Sequence, residues 1–316
     1  MILGAIEAVI MIIIMIAIGY LAARLGWASK AVSQFVSKLV INVTLPCTIV
    51  LSFLTYFTPQ FMAESVLPIV ASFVASFGLY FIAKLLCRCL HIQQGRKGTF
   101  IMLFCVSNSV FIGFPVAQAI FGDQGFIYAV LYFFSNTVLI NTLGYTEISR
   151  DGKQQQEHMT GLLPSLKRLV NPAMISILIS IVLVMLGLRA DMLPDFVTKT
   201  LDYVGGITSP LSLIFVGMIF HQIGFKNLKM EKGLPWVMLG RFVIAPLLML
   251  AVALLFGVDA YTTQVFVVQM GLPCMVQVVI MAELFDADSQ YATKGMVLST
   301  LISLVVIPIY VLLFSI

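Results

Sequence analysis

From Ile2 to Leu21 the chain runs for twenty residues with one charge, Glu7. A helix of about twenty apolar residues spans the roughly 30 Å hydrocarbon core of a bilayer. Such runs recur, and polar breaks divide them into ten segments: 2–24, 31–56, 63–88, 98–121, 125–147, 171–188, 196–220, 234–256, 262–284 and 293–315. The chain is 60% hydrophobic and 10% charged over 316 residues, whereas soluble domains average about 45–50% and 25%. The reading is an all-α polytopic membrane protein. The first run lacks a basic leader and a cleavage pattern, so it is read as a retained helix rather than a signal peptide.

The basic residues fix the expected orientation. Of eighteen, all but Arg189 and Lys199 fall on odd-numbered connections or just beside them. Arg24, Lys30 and Lys38 flank the first. Lys84, Arg88, Arg96 and Lys97 flank the third. Arg150, Lys153, Lys167 and Arg168 mark the fifth, and Lys226, Lys229, Lys232 and the deeper Arg241 the seventh. Lys294 marks the ninth. Cytoplasmic loops are enriched in Lys and Arg, so these connections are assigned to the cytoplasm of a multi-pass protein in the cell inner membrane, with both termini extracytoplasmic. Placed this way, the net charge of +4 gives no reason to expect a nucleic-acid partner.

Five cysteines, Cys47, Cys87, Cys89, Cys105 and Cys274, fall within spans or on the cytoplasmic side, so no disulfide framework is expected. Cys87, Cys89 and His91 lack the C-x-x-C spacing and second ligand pair of a zinc site, and no metal is expected. No Gly-rich phosphate loop after a strand, HExxH or G-x-S-x-G elbow is present, so the chain is read as no enzyme, without a cofactor and without direct ATP drive.

Residues 1–147 hold five spans, 148–170 form a short basic cytoplasmic loop, and 171–316 hold five more. An odd number of spans per half gives the halves opposite orientation, a 5+5 inverted repeat of the kind that transporters use. The prolines agree. Pro46 in the second span and Pro210 in the seventh are 164 apart, and the same offset carries Ser109 onto Pro273. The fourth and ninth spans are thus interrupted at matching places. The tripeptide Leu-Pro-Cys also occurs twice, at 45–47 and 272–274, but in spans that are not repeat partners.

Within the fourth span, Ser107, Asn108 and Ser109 are polar, Gly113 is permissive and Pro115 removes a backbone donor. In the ninth, Gln269, Gly271, Pro273 and Gln277 do the same. Irregular backbone at membrane depth survives only where protein or a water-filled cavity satisfies it. Half-helices meeting there would offer N-terminal N–H groups to an anion, with Asn108 and Gln277 adding neutral hydrogen bonds. The predicted substrate contacts are Ser107, Asn108, Ser109, Pro273, Cys274 and Gln277. The predicted helix breaks are Pro46, Gly113, Pro115, Pro210, Gly271 and Pro273. Arg241, about two turns inside the eighth span, fits either a functional charge or a side chain snorkelling to the inner headgroups.

Asn108-Ser-Val-Phe-Ile-Gly-Phe-Pro115 resembles the N-x-x-x-x-G-x-P element of the auxin efflux carrier family, which includes plant auxin carriers and bacterial organic-acid permeases. Leu272-Pro-Cys-Met-Val-Gln277, Ala282-Glu283 and Ser299-Thr-Leu-Ile-Ser303 resemble its ninth and tenth spans; Asn42-Val-Thr-Leu-Pro46 and Arg241-Phe-Val-Ile-Ala-Pro246 fit its second and eighth. The resemblance implies ten spans with broken, crossing fourth and ninth helices, an architecture like that of bile-acid/sodium symporters and sodium/proton antiporters. It implies a scaffold of spans 1, 2, 6 and 7, and a transport domain of spans 3–5 and 8–10 that moves as an elevator. It also implies a small organic anion such as malate, malonate or an auxin-like acid, bound beside Asn108, and a homodimer in the lipid bilayer. Gln277 stands where many bacterial members have Asn. The central loop is too short for plant-style phosphorylation control.

Neither interrupted stretch carries Asp or Glu, which disfavours a carboxylate-centred proton antiporter. Two other readings stay open. One is a sodium- or proton-coupled symporter of the same fold, and the other a membrane receptor that binds without transporting. Direction of transport is open as well.

Overall fold

The computed structural model describes residues 2–152, 162–223 and 230–314. Lys153, His158, Lys226 and Lys229 lie outside the described residues. Within them the chain is helical, with no strand beyond one isolated bridge. Six helical ranges are long and apolar enough to cross a membrane: Lys30–Tyr56, Pro59–Cys89, Ser109–Ser149, Asp195–Gln222, Leu234–Phe256 and Ser289–Tyr310. Ile10–Arg24 and Pro172–Met185 are shorter apolar helices.

Local chemistry starts and stops these helices. Asn171 and Asp259 accept hydrogen bonds from Met174 and Thr262 N–H at 3.0 and 2.9 Å, satisfying donors that a helix start leaves orphaned. Gly257, at φ 67°, ends Ala245–Phe256 in the left-handed conformation that a Cβ resists. Hydroxyls inside helices, such as those of Thr55, Thr142 and Ser180, turn back onto the carbonyl four residues earlier. That contact satisfies a hydroxyl without a water or a partner helix.

Pro46 follows a π turn, and Pro210 follows a helix break at Ile207, between Asp195–Gly206 and Thr208–Ile223. Val40–Thr44 forms a π turn immediately before Leu45–Tyr56, and the wider turn takes up the donor missing at Pro46. Pro210 sits in the first turn of Thr208–Ile223, where no intrahelical donor is needed. Gly122, at φ 69° and ψ −168°, is the non-helical point inside Phe114–Leu139.

The chain divides into two compact units. The first comprises Met1–Val66, Val110–Leu131 and Val170–Gly224. Its tightest pairing is Ile2–Arg24 along Thr208–Ile223, set by two glycines. A Cβ on Gly19 would stand 1.9 Å from the Ile214 carbonyl oxygen, and one on Gly217 would stand 2.0 Å from that of Ile16. The backbones therefore touch where both positions lack a side chain. Beside them, Thr48 Oγ1 donates to the Gly205 carbonyl at 2.9 Å and meets Thr208 Oγ1 at 2.8 Å.

The second unit comprises Leu67–Ser109, Tyr132–Leu169 and Phe225–Ile316. At one of its ends Arg96 donates to Asp288 Oδ2 and Glu231 Oε2, each at 2.6 Å, and Lys294 bonds Glu231 Oε1. The Lys294 ammonium holds the Glu231 carboxyl below its ordinary range, with Arg96 adding to the effect. Nearby, Asp151 Oδ2 accepts from Thr99 N–H at 2.8 Å and so caps the start of Lys97–Cys105. Glu147, buried, takes hydrogen bonds from Tyr80 and from Lys84, the latter at 2.9 Å.

Candidate functional site

The second unit contains the one place, among the described residues, where two extended stretches pair. Helix Lys97–Cys105 ends at Val106, which is extended at φ −100° and ψ 133°. Helix Ala260–Met270 ends at Gly271, and the chain is extended again at Met275, φ −71° and ψ 132°, before Val276–Leu284 begins. Ser107 and Cys274 form an antiparallel bridge. It is closed by Asn108 N–H to the Pro273 carbonyl at 2.9 Å and by Met275 N–H to the Val106 carbonyl at 3.3 Å.

That pattern turns the backbone of Ser107 and Cys274 outward, away from each other, and side chains take over. The Asn136 amide accepts from Ser107 N–H at 3.2 Å and donates to the Ser107 carbonyl at 2.7 Å. Its Nδ2 also reaches Ser109 Oγ at 3.0 Å. On the other side, Cys274 N–H donates to Ser299 Oγ at 3.0 Å. Residues 107, 274, 136 and 299 are all buried. An orphaned backbone group at such depth costs about 1–3 kcal/mol, so these contacts make the break tolerable.

Arg241 closes the arrangement from behind. Its side chain is fully buried, which rules out the snorkelling alternative. Nε donates to Leu272 O at 2.9 Å, and Nη2 to Met270 O at 2.5 Å and Leu272 O at 2.8 Å. Nη1 donates to Phe104 O at 3.2 Å and Cys105 O at 2.9 Å. All acceptors are backbone carbonyls at the C-terminal ends of the two interrupted helices. Those ends carry orphan acceptors and about half a negative charge each. A planar guanidinium with five donors can serve both at once, where an ammonium cannot. Gly240 lets Arg241 approach, since a Cβ there would meet the Phe104 ring at 2.2 Å.

The predicted residues are distributed as follows. Ser107, Asn108, Ser109, Gly271, Pro273, Cys274 and Arg241 come together in the second unit. The Ser107 hydroxyl meets Ser109 Oγ and Tyr132 OH, each at 3.2 Å, and the Cys274 thiol donates to Leu103 O at 3.2 Å. Gln277, half-buried, is in the first turn of Val276–Leu284. Gly113 ends a π turn, Ser109–Gly113, and Pro115 follows at the second position of the next helix; both belong to the first unit, as do Pro46 and Pro210. Sequence reasoning missed Asn136, and it singled out Ser299 only as part of a family motif, without a role. They are 163 residues apart, within one of the proline offset, and each supports one of the two breaks. Among the described residues no three His, Cys, Asp or Glu side chains gather as a metal site.

Residues 4–311 match the model of the family described as membrane transport protein, the auxin efflux carriers. The chain belongs to that family. It is 24% identical over 222 residues to an uncharacterized transporter of Methanocaldococcus jannaschii, covering 69% of each chain. It is 25% identical over 232 residues to an uncharacterized transporter of Methanothermobacter thermautotrophicus, covering 72% of each. The protein is a membrane transporter, and its apolar helices are those of a multi-pass membrane protein.

Proposed function

We propose that this carrier moves a small organic anion, a carboxylate such as malate, malonate or an auxin-like acid, across the cytoplasmic membrane by alternating access. Asn108 and Gln277 contact the anion, while Ser107, Ser109, Pro273 and Cys274 shape the backbone around it. The Arg241 clamp is the observation that carries the proposal. Two helix C-termini amount to about one negative charge, which the guanidinium offsets. The positive end of Val276–Leu284 remains, with no side-chain hydrogen bond from its N-cap Met275. A helix start of this kind attracts a carboxylate through its orphan N–H groups. No Asp or Glu occurs at 106–109 or 270–277 to oppose it.

The ten-span, 5+5 reading with crossing fourth and ninth helices is supported by the bridge at Ser107 and Cys274 and by the matched supports Asn136 and Ser299. Arg96, Glu231 and Asp288 lie on three odd-numbered connections yet bond one another, which supports placing those connections on one side, with both termini outward. The first, second, sixth and seventh spans share one compact unit, as a scaffold would, although residues 110–131 of the fourth and fifth spans belong to that unit too; the elevator motion is what the resemblance favours. The resemblance favours a homodimer.

Thermal stabilisation of the purified protein against mono- and dicarboxylates, with and without sodium, tests this reading. A ligand that prefers the folded state raises the midpoint by mass action. A carboxylate should raise it in the wild type and not in Asn108→Ala. No stabilisation by any carboxylate, or an equal shift in Asn108→Ala, would reject the proposal.

A further inference from the structure

A cavity of about 410 Å³ opens at the end of the second unit near the Arg96 network. Lys84, Arg88, His91 and Lys97 line it, with Glu147 as the carboxylate among the lining residues. Buried Ile92 and Ile101 give it an apolar floor. Glu147 is already engaged by Tyr80 and Lys84, and Arg150 approaches it at 3.8 Å. Asp151, behind Lys97, spends its carboxylate on the N–H groups that start Lys97–Cys105. Among the described residues, the side chains of Arg88 and Lys97 make no hydrogen bond or ion pair, and both are exposed. His91 has a positive φ of 48°, and its Nδ1 lies 3.0 Å from the Cys89 carbonyl oxygen.

We propose that this cavity is a binding site for a phosphate group, separate from the carboxylate site at the paired breaks. Three cations stand against one carboxylate that is already satisfied, and two of the cations are uncommitted. Arg88 supplies a planar fork that matches two phosphate oxygens, and Lys84 and Lys97 supply point charges. A basic pocket at the cytoplasmic end of membrane helices is where anionic headgroups dock, and the apolar floor suits a glycerol or acyl stem. The same donors fit inorganic phosphate or a free phosphate ester. This inference goes beyond the transport reading and stands whether or not the carboxylate is identified.

The test is the thermal midpoint of the detergent-purified full chain with three probes: inorganic phosphate, dihexanoyl phosphatidylglycerol, and dihexanoyl phosphatidylcholine as the zwitterionic control. Phosphatidylglycerol or phosphate should raise the midpoint, and phosphatidylcholine should not. Each surface cation is worth about fivefold in affinity. The double variant Arg88→Gln/Lys97→Gln should therefore bind about thirtyfold more weakly, while Lys38→Gln binds as wild type. Stabilisation by the lipid alone assigns the site to a headgroup, and stabilisation by both probes or by phosphate alone assigns it to free phosphate. The double variant's midpoint without ligand checks that folding is intact. No response to either anion, or one the double variant retains, overturns the inference.

Discussion

The side-chain amide of Asn136 pairs with the backbone of Ser107 as a neighbouring strand would, accepting at 3.2 Å and donating at 2.7 Å. A single side chain thus replaces a β ladder at a point where helix has ended and lipid offers no partner. Replacing Asn136 by Leu leaves the Ser107 N–H and carbonyl without those partners and should lower stability by about 1–3 kcal/mol. Asn136→Asp keeps an acceptor but loses both donors, and should weaken carboxylate binding as well by adding negative charge. Thermal midpoints together with carboxylate titrations check both variants; a wild-type midpoint in Asn136→Leu would contradict the assignment.

Arg241 is the stronger test of how the two broken helices are held. Arg241→Met strands four carbonyls, those of Phe104, Cys105, Met270 and Leu272. A buried acceptor left without its partner costs about 1–3 kcal/mol, so the loss should be at least that large. Arg241→Lys preserves charge but offers three donors on one atom, so it should recover part of the loss and not all of it. Denaturation midpoints in detergent rank wild type above Lys above Met. If Lys matches Arg, charge alone matters and the bidentate geometry does not.

Acid should loosen the end of the second unit where Glu231 joins Arg96 and Lys294. The folded carboxyl titrates below the ordinary 4.5. Its contribution is therefore complete above that value and disappears as pH falls through the lower folded value. Partly exposed pairs contribute up to about 1 kcal/mol each, a shift of about 2–4 °C. The midpoint should hold from neutrality to about pH 5 and fall below 4.5. Glu231→Gln should lower it at neutral pH and flatten the acid slope. An unchanged slope in that variant would place the acid sensitivity elsewhere.

The legible parts of the site were those that violate a local rule. Three polar residues and a proline inside an apolar run mark Ser107 to Pro115 as a break. The same holds for Gln269 to Gln277. Asn136 violates nothing, because one Asn in a helix is ordinary; its role depends on the break 29 residues earlier reaching it. Arg241 was visible as a deep cation, but spacing could not reveal that carbonyls from two other segments converge on it. At Pro46 a π turn takes up the missing donor, whereas at Pro210 one helix ends at Gly206 and the next begins at Thr208, so the proline falls in a first turn. Close helix contact at Gly19 and Gly217 carried no sequence signal beyond two glycines in long apolar runs.

The central claim is that an organic anion passes beside Asn108, close to the Arg241 clamp. Its most direct test is uptake of a radiolabelled carboxylate into liposomes holding the purified protein, under an imposed membrane potential. One charge crossing 100 mV is worth about 2.3 kcal/mol, enough for nearly a fiftyfold gradient. The account predicts carboxylate accumulation that follows the potential and is abolished in Asn108→Ala, a variant that keeps its thermal midpoint. Equal flux in wild type and Asn108→Ala, or no flux of any carboxylate under any potential or ion gradient, would contradict it.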